Sequence, residues 1–208
     1  MNTTRTTTKT RRPRADGARS RETILRAAAG LATVEGLDGL SIGHLAEHIG
    51  MSKSGLYAHF GSKEELQLAT VDTALEIFAS EVMEPAQTIA DPLARLQAVC
   101  DRFLSHVERG VFPGGCFFAS VSAEFDTHPG PVKDKIAVVQ QRWSATLEQL
   151  IEEAQANGQL SRNEDAAQLA FEVDAYLLMG NTAFLLHNDP SSLHRARTAI
   201  AHRLSRAA

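Results

Sequence analysis

The fold is decided by Ser41-Ile42-Gly43-His44-Leu45-Ala46-Glu47-His48-Ile49-Gly50-Met51-Ser52-Lys53-Ser54-Gly55-Leu56-Tyr57-Ala58-His59-Phe60. Ile42, Leu45, Ala46 and Ile49 recur at the three- and four-residue spacing of a helix face. Ser41 and Ser52 stand where a hydroxyl caps the free N–H groups of a helix start. Gly50 stops the first helix and Gly61 the second, as glycine does just past a helix end. Two helices within about 20 residues, joined by Gly50-Met51-Ser52, have the size and turn chemistry of a helix-turn-helix. In such a unit the second helix enters the DNA major groove and its N-terminal residues reach base edges. Lys53, Ser54 and Gly55 occupy that end: lysine and serine can donate to bases or phosphates, and glycine lets the backbone come close. Tyr57 and His59 follow, with a hydroxyl and an imidazole suited to phosphate oxygens. Ser41 and Ser52 read as caps that also touch phosphate, and Phe60 reads as core of the small bundle.

Outward from this stretch the periodicity stays helical. Upstream, a helix is expected from about residue 19 to 35, with Ile24, Ala28 and Leu31 on one face and Gly36 ending it. Residues 1–18, rich in Thr and Arg without apolar periodicity, read as a flexible basic arm. Downstream, Ser62-Lys63-Glu64-Glu65 has the form of a capping box. It opens a long helix with the stripe Leu68, Val71, Leu75, Phe78 and Val82, and Lys63 at its N-terminus makes an anion site. Further helices are expected from Asp91-Pro92, over 116–125, along Val132 to Ala154, over 163–187 and over 191–206. About nine helices and no strand make the fold all-α.

The pattern is specific enough to name a family. Thr23-Ile24-Leu25-Arg26-Ala27-Ala28, Gly36-Leu37, Gly39-Leu40-Ser41, Leu45-Ala46 and the run from Gly50 to Phe60, followed by Lys63 and Leu66, resemble the signature of the TetR family of bacterial transcriptional repressors. Gly115-Cys116-Phe117 resembles a segment common in a large branch of it. The resemblance implies a helix-turn-helix DNA-binding domain over 19–65, with the motif at 41–60, and a ligand-binding and dimerisation domain over 66–208. It further implies an all-α homodimer whose last two long helices form a four-helix interface. Tyr57, His59 and Lys63 match positions that contact DNA backbone, and Gly43, Lys53, Ser54 and Gly55 match positions near bases. Gly43 has no side chain, so base reading there falls to His44 or to nothing.

Charge fits this division. Residues 1–63 carry ten Lys/Arg against five Asp/Glu, and the rest eleven against twenty. The basic third is either the face that meets a polyanion or a chance cluster in the arm. Two cysteines cannot frame a disulfide fold, no apolar leader opens the chain and no run reaches the ~18 apolar residues of a membrane span, so a cytoplasmic protein is expected. His44 and His48 share a helix face but lack a third ligand, and no phosphate loop or nucleophile elbow is present. No cofactor, metal or enzymatic activity is expected. Ten of the twelve aromatics lie beyond residue 77, which reads as core or as a cavity for a small-molecule effector. Candidate cavity residues are Phe103, His106, Phe117, Phe118, Glu124, Gln140, Trp143 and Phe171. Asn181 is a further polar candidate. Cys116 reads as a small buried hydrophobe, with thiol sensing as the alternative. The apolar helix 163–187 should pair with its symmetry mate and with helix 191–206, Ala170, Ala175 and Gly180 allowing close approach. The expected function is a homodimeric repressor released from a palindromic operator of double-stranded DNA by an effector. Control by cysteine modification or a protein partner is the alternative, and a small α-helical enzyme a remote one.

Overall fold

The computed structural model describes residues 13–208, with side chains from Arg21 onward. Most of the expected basic arm, residues 1–12, therefore lies outside the described residues. Helix α1 (Pro13–Glu35) begins six residues before its expected start. Proline at a first helical position loses no N–H that the helix needs. Ile24, Leu25, Ala28, Ala29, Leu31 and Ala32 form its buried face. Gly36 takes φ +87° beyond its end, a left-handed conformation that favours glycine. Helices α2 (Ile42–His48) and α3 (Lys53–Tyr57) follow, with Gly50 at φ +69° between them. There Met51 N–H donates to Ala46 O (2.8 Å), the six-to-one bond of a glycine-closed helix end. Leu37, Leu40, Leu45, Leu56 and Phe60 fill the space between these helices. The Arg21 guanidinium lies 4.8 Å from the Phe60 ring centre.

Helix α4 (Lys63–Phe78) is capped by Ser62, whose Oγ accepts from Glu65 N–H (3.0 Å). Glu65 returns the bond to Gly61 N–H (2.9 Å), one residue before the position a capping box uses. The helix does not run unbroken to Val82. A widened π-helical turn, Ala79–Met83, leads into a short helix α5 (Glu84–Gln87). Pro85 has no N–H to give an unbroken helix, and its ring would strike the carbonyl four residues back. The buried side of α4 is also turned from the expected stripe: Leu66, Val71, Ala74, Ile77 and Phe78 are buried, while Leu68 and Leu75 are half-buried.

The remaining helices are α6 (Pro92–Glu108), α7 (Phe117–Phe125), α8 (Pro131–Ala156), α9 (Ala166–His187) and α10 (Ser191–Arg206). α9 starts three residues later than expected because the Asp165 carboxylate, accepting from Gln168 N–H (3.1 Å), caps it there. No strand occurs among the described residues. α9 and α10 form a hairpin against α6 and α8, joined by ion pairs of Arg203 with Glu164 (2.7 Å) and Glu172. Gly180 is buried in this hairpin. A Cβ there would lie 2.8 Å from Ala196 Cβ and 3.3 Å from Leu104 Cδ2. Its smallness thus serves packing within the chain, and Ala170 is buried as well. Of the three small residues expected to allow close approach, Gly180 meets α10, one of the two expected partners, and only Ala175 lies on the open side.

Candidate DNA-binding face and effector cavity

Each serine of the helix-turn-helix is tied down by its own helix. Ser41 Oγ accepts from His44 N–H (3.2 Å), and Ser52 Oγ accepts from Gly55 N–H (3.1 Å) while lying 3.3 Å from Ser54 Oγ. A Cβ on Gly55 would crowd Ser52 Oγ at 3.0 Å. Gly43 gains a physical account: the Lys53 side chain lies over it, with Cε 3.3 Å from where a Cβ would stand. The missing side chain at 43 gives the lysine a bed across α2. Ser52, Lys53, Ser54 and Tyr57 present exposed side chains, Tyr57 at 58%. His59 is half-buried, its ring 6.2 Å from that of Phe60. The other two expected contacts are already engaged with carboxylates: His44 Nδ1 with Glu35 (3.3 Å) and Lys63 Nζ with Asp38 (3.0 Å). The Lys63 ammonium holds the Asp38 carboxyl below the usual carboxylate range.

The turn after α1 is also where the helix-turn-helix domain, the head formed by α1, α2 and α3, meets the rest of the chain. The Glu124 carboxylate on α7 accepts from Leu37 N–H (2.8 Å) and Asp38 N–H (2.7 Å). Gln67 on α4 donates to Leu37 O (2.7 Å). Gly36 leaves room for this clasp, since a Cβ would come within 2.7 Å of Glu124 Oε1. Nearby, Gly114 N–H donates to Thr33 Oγ1 (3.0 Å), at an approach too close for any side chain at 114.

Behind this junction lies a cavity of about 120 Å³ between α4, α6, α7, α8 and α9. Four of the eight candidate residues line it: Phe103, Phe118, Gln140 and Trp143. Leu75, Phe78, Ala79 and Met83 of α4 and its π turn complete one wall, and Arg142, Thr146, Asp174 and Leu178 another. Trp143 lies 6.1 Å from Phe103 at 25° and stands edge-on to Phe78 at 5.3 Å. Its Nε1–H donates to Asp174 Oδ1 (2.7 Å). Burial raises the Asp174 carboxyl above its ordinary range, against the opposing pull of that bond. Gln140 Nε2 donates to Ser122 Oγ (2.8 Å).

The other four candidates sit elsewhere. Glu124 is the clasp, Phe117 packs edge-on against Phe118 in the core (5.2 Å), and Phe171 is 70% exposed on α9. His106 is buried beside Phe78 and Phe112, and neither ring nitrogen has a hydrogen-bond partner among the described residues. Burial pushes its pKa down to about 4. Asn181 serves structure rather than the cavity: its Oδ1 accepts from Cys116 N–H (2.9 Å). Cys116 does reach the cavity wall, but burial pushes its thiol up to about 11, so it is a neutral thiol at physiological pH. Asp174 is not among the residues the sequence marks; its one signal is a carboxylate at the edge of the nearly apolar run 175–186. Among the described residues no three His, Cys, Asp or Glu converge on a point that could hold a metal.

Two family descriptions match the chain. Residues 24–70 match that of bacterial regulatory proteins of the tetR family, and residues 92–200 that of a tetracyclin repressor-like C-terminal domain. The transcriptional regulator AcuR of Cereibacter sphaeroides is 26% identical over 163 residues, which cover 76% of this chain and 74% of AcuR. A TetR transcriptional regulator from Chloroflexus aurantiacus superposes with a TM-score of 0.81 at 27% identity, covering 92% of this chain and 96% of its own. AibR, solved in complex with isovaleryl coenzyme A and operator DNA, superposes with a TM-score of 0.68 at 25% identity over 86% of this chain and 95% of AibR. The first description covers the helix-turn-helix and the second covers half the chain, through every helix from α6 to the middle of α10. The chain therefore belongs to the tetR family of bacterial regulatory proteins, which are DNA-binding transcriptional regulators and not enzymes.

Proposed function

We propose that this regulator is a homodimeric repressor that holds an inverted-repeat operator and leaves it when a small molecule fills the cavity. The observation that carries this reading is the double use of α4. Its first turn anchors the head through Lys63 and Gln67, and its far end supplies Leu75 and Phe78 to the cavity wall. A ligand that displaces the far end moves the near end. α7 offers a second connection, with Phe118 and Ala119 at the cavity and Glu124 on the head. To weaken operator binding 100-fold, the ligand must favour the DNA-incompetent arrangement by ~2.7 kcal/mol.

The dimer is supported by α9. Phe171, Ala175, Met179, Thr182 and Leu186 are exposed along one side at three- and four-residue spacing, with Leu186 at 75% and Met179 at 64%. By length and composition alone this helix could cross a membrane, with a mean hydropathy of 1.3, yet only 33% of its most apolar window is buried. Glu172 and Asp174 on its flanks, and α10 and α8 packed beside it, fit an isologous helix pair rather than lipid. Two recognition helices would then stand about one DNA turn apart, ~34 Å. AibR supplies a precedent for an organic effector and operator DNA on this fold. A cytoplasmic location is part of the same reading, since the protein acts where its operator lies. Effector control is favoured over cysteine modification because the Cys116 thiol is buried and neutral.

Selection from a random duplex library with the purified protein, together with light scattering, tests this. The expected result is enrichment of an inverted repeat by a dimer, with reduced expression of a reporter placed behind the selected site. A monomer at micromolar concentration, no enriched motif, or reporter activation would overturn the corresponding part.

A further inference from the structure

We infer that the cavity is built for a small organic cation, an ammonium on an apolar ring-sized body, seated with its charge against Asp174 and its body among Trp143, Phe78 and Phe103. The inference rests on the reading of this cavity as the effector site. Its first support is an unbalanced charge. Among the described residues no lysine, arginine or histidine forms an ion pair with Asp174, and its one hydrogen bond is the Trp143 indole N–H. A carboxylate withdrawn from water is unfavourable unless a counter-charge joins it, and a cation entering the cavity brings one. The second support is the ring arrangement. Trp143 and Phe103 lie 6.1 Å apart near-parallel, and Phe78 stands perpendicular to Trp143 at 5.3 Å. Aromatic faces attract ammonium groups, most strongly where water is excluded, with tryptophan the best of them. The third is size. A cavity of about 120 Å³ is of the same order as the ~150 Å³ apolar cavity that takes one benzene, so its apolar part is on the scale of one ring, and the exposed side at Arg142 leaves it open to solvent.

Arg142 is the rival group, since it also reaches the wall. It is exposed, so water screens its charge, whereas Asp174 is partly buried against the indole. The net demand inside the cavity is for positive charge.

The test uses three near-isosteric probes, benzylammonium, benzyl alcohol and benzoate, titrated into the full-length protein without DNA at matched ionic strength. Emission of Trp143, the only tryptophan in the chain, reports occupancy. Benzylammonium should act at a concentration at least tenfold lower than benzyl alcohol, with benzoate weakest. Asp174→Asn, which keeps an oxygen for the indole N–H, should bring benzylammonium to the level of benzyl alcohol. Equal or better action by benzyl alcohol or benzoate overturns the proposal on the wild-type protein alone, as does silence of all three. A cation preference that survives Asp174→Asn overturns it too. A parallel titration with operator DNA separates this from the wider reading. Cation binding without DNA release leaves the ligand class standing and removes the release mechanism. Release by a neutral or anionic probe that also moves Trp143 emission keeps the mechanism and removes the cation.

Discussion

The head and the cavity domain are held by contacts of different reach. In the head the ordering bonds are short in sequence: Ser41 to His44, Ser52 to Gly55 and Ser62 to Glu65 each span three residues. Around the cavity they are long, with Trp143 to Asp174 spanning 31 residues and Cys116 to Asn181 spanning 65. A DNA-reading surface set by local caps keeps its shape while the body rearranges. A cavity that exists only where five helices meet responds to anything that shifts one of them. That division suits the proposed release mechanism, in which the reading surface moves without losing its shape.

The sharpest way to break the comparison is to remove the proposed dimer while leaving both regions folded. Phe171→Glu with Met179→Glu places charges on the exposed face of α9, and two-fold symmetry doubles each one. Operator affinity should fall by at least ~100-fold, about 2.7 kcal/mol, with a monomer mass by light scattering and unchanged helicity. Gly180→Ala makes the contrast: its Cβ would collide with Ala196 inside the chain. It should lower the melting temperature, an overpacking loss of ~1–3 kcal/mol. If Gly180→Ala dissociated a stable dimer instead, the assignment of faces on α9 would be wrong.

The same reach explains what was legible beforehand. Ser41, Gly50, Ser52 and Ser62 announce their roles because capping and glycine turns are decided by immediate neighbours. Phe103, Phe118, Gln140 and Trp143 are cavity candidates by sequence, and the structure sets them around one space. Glu124 and Phe171 are candidates on the same grounds and stand elsewhere, because an acid or an aromatic on a helix does not say which helix it will face. Gly180 is half legible for the same reason: its smallness announces a close approach, but the symmetry mate and helix 191–206 both fit it, and only the position of Ala196 decides between them. The π turn before Pro85 was visible in principle, since a proline inside a helical stripe always disturbs the turn before it.

Next in size is an effect of pH on the body that the head should not share. Buried His106 is held neutral, with a pKa of about 4 against an ordinary value of 6.5. Between these values the unfolded chain binds a proton that the folded chain refuses, so stability is full above pH 6.5 and falls as pH drops toward 4. The shift corresponds to about 3 kcal/mol. His106→Leu, by thermal denaturation at pH 7.5 and at pH 5, should lose much less stability on acidification than the wild type. At pH 7.5 it should be no less stable, since two unpartnered nitrogens are gone. An equal acid loss in both proteins would remove His106 from the account.

In the head, Lys53→Ala should weaken operator binding about tenfold and reduce the salt slope of log affinity by ~0.9 if its ammonium meets a phosphate. Oligomer mass and Trp143 emission should not change, because Lys53 is exposed beside Gly43 and does not line the cavity. An unchanged slope together with altered preference at one base pair would make Lys53 a base reader instead.

The smallest effect on stability tests the seam between the regions. Glu124→Gln keeps the size of the side chain but cannot accept equally from both Leu37 and Asp38 N–H. Asp38 is exposed and water can replace its bond, so the cost should be about 1 kcal/mol or less. Lys63 and Gln67 still hold the turn from α4. Operator affinity without effector should therefore stay within about threefold of wild type, since the recognition helix keeps its own caps. The consequence lies in the response. A cavity ligand transmits through both α4 and α7 in the wild type, and through α4 alone in the variant. The operator-affinity ratio without and with a ligand that moves Trp143 emission should fall from roughly 100-fold toward 10-fold, a loss of about 1.4 kcal/mol of coupling. Ligand affinity in the absence of DNA should be nearly unchanged, because Glu124 does not line the cavity. If the ratio is the same in both proteins, α7 only props the head, and α4 carries the whole of the signal.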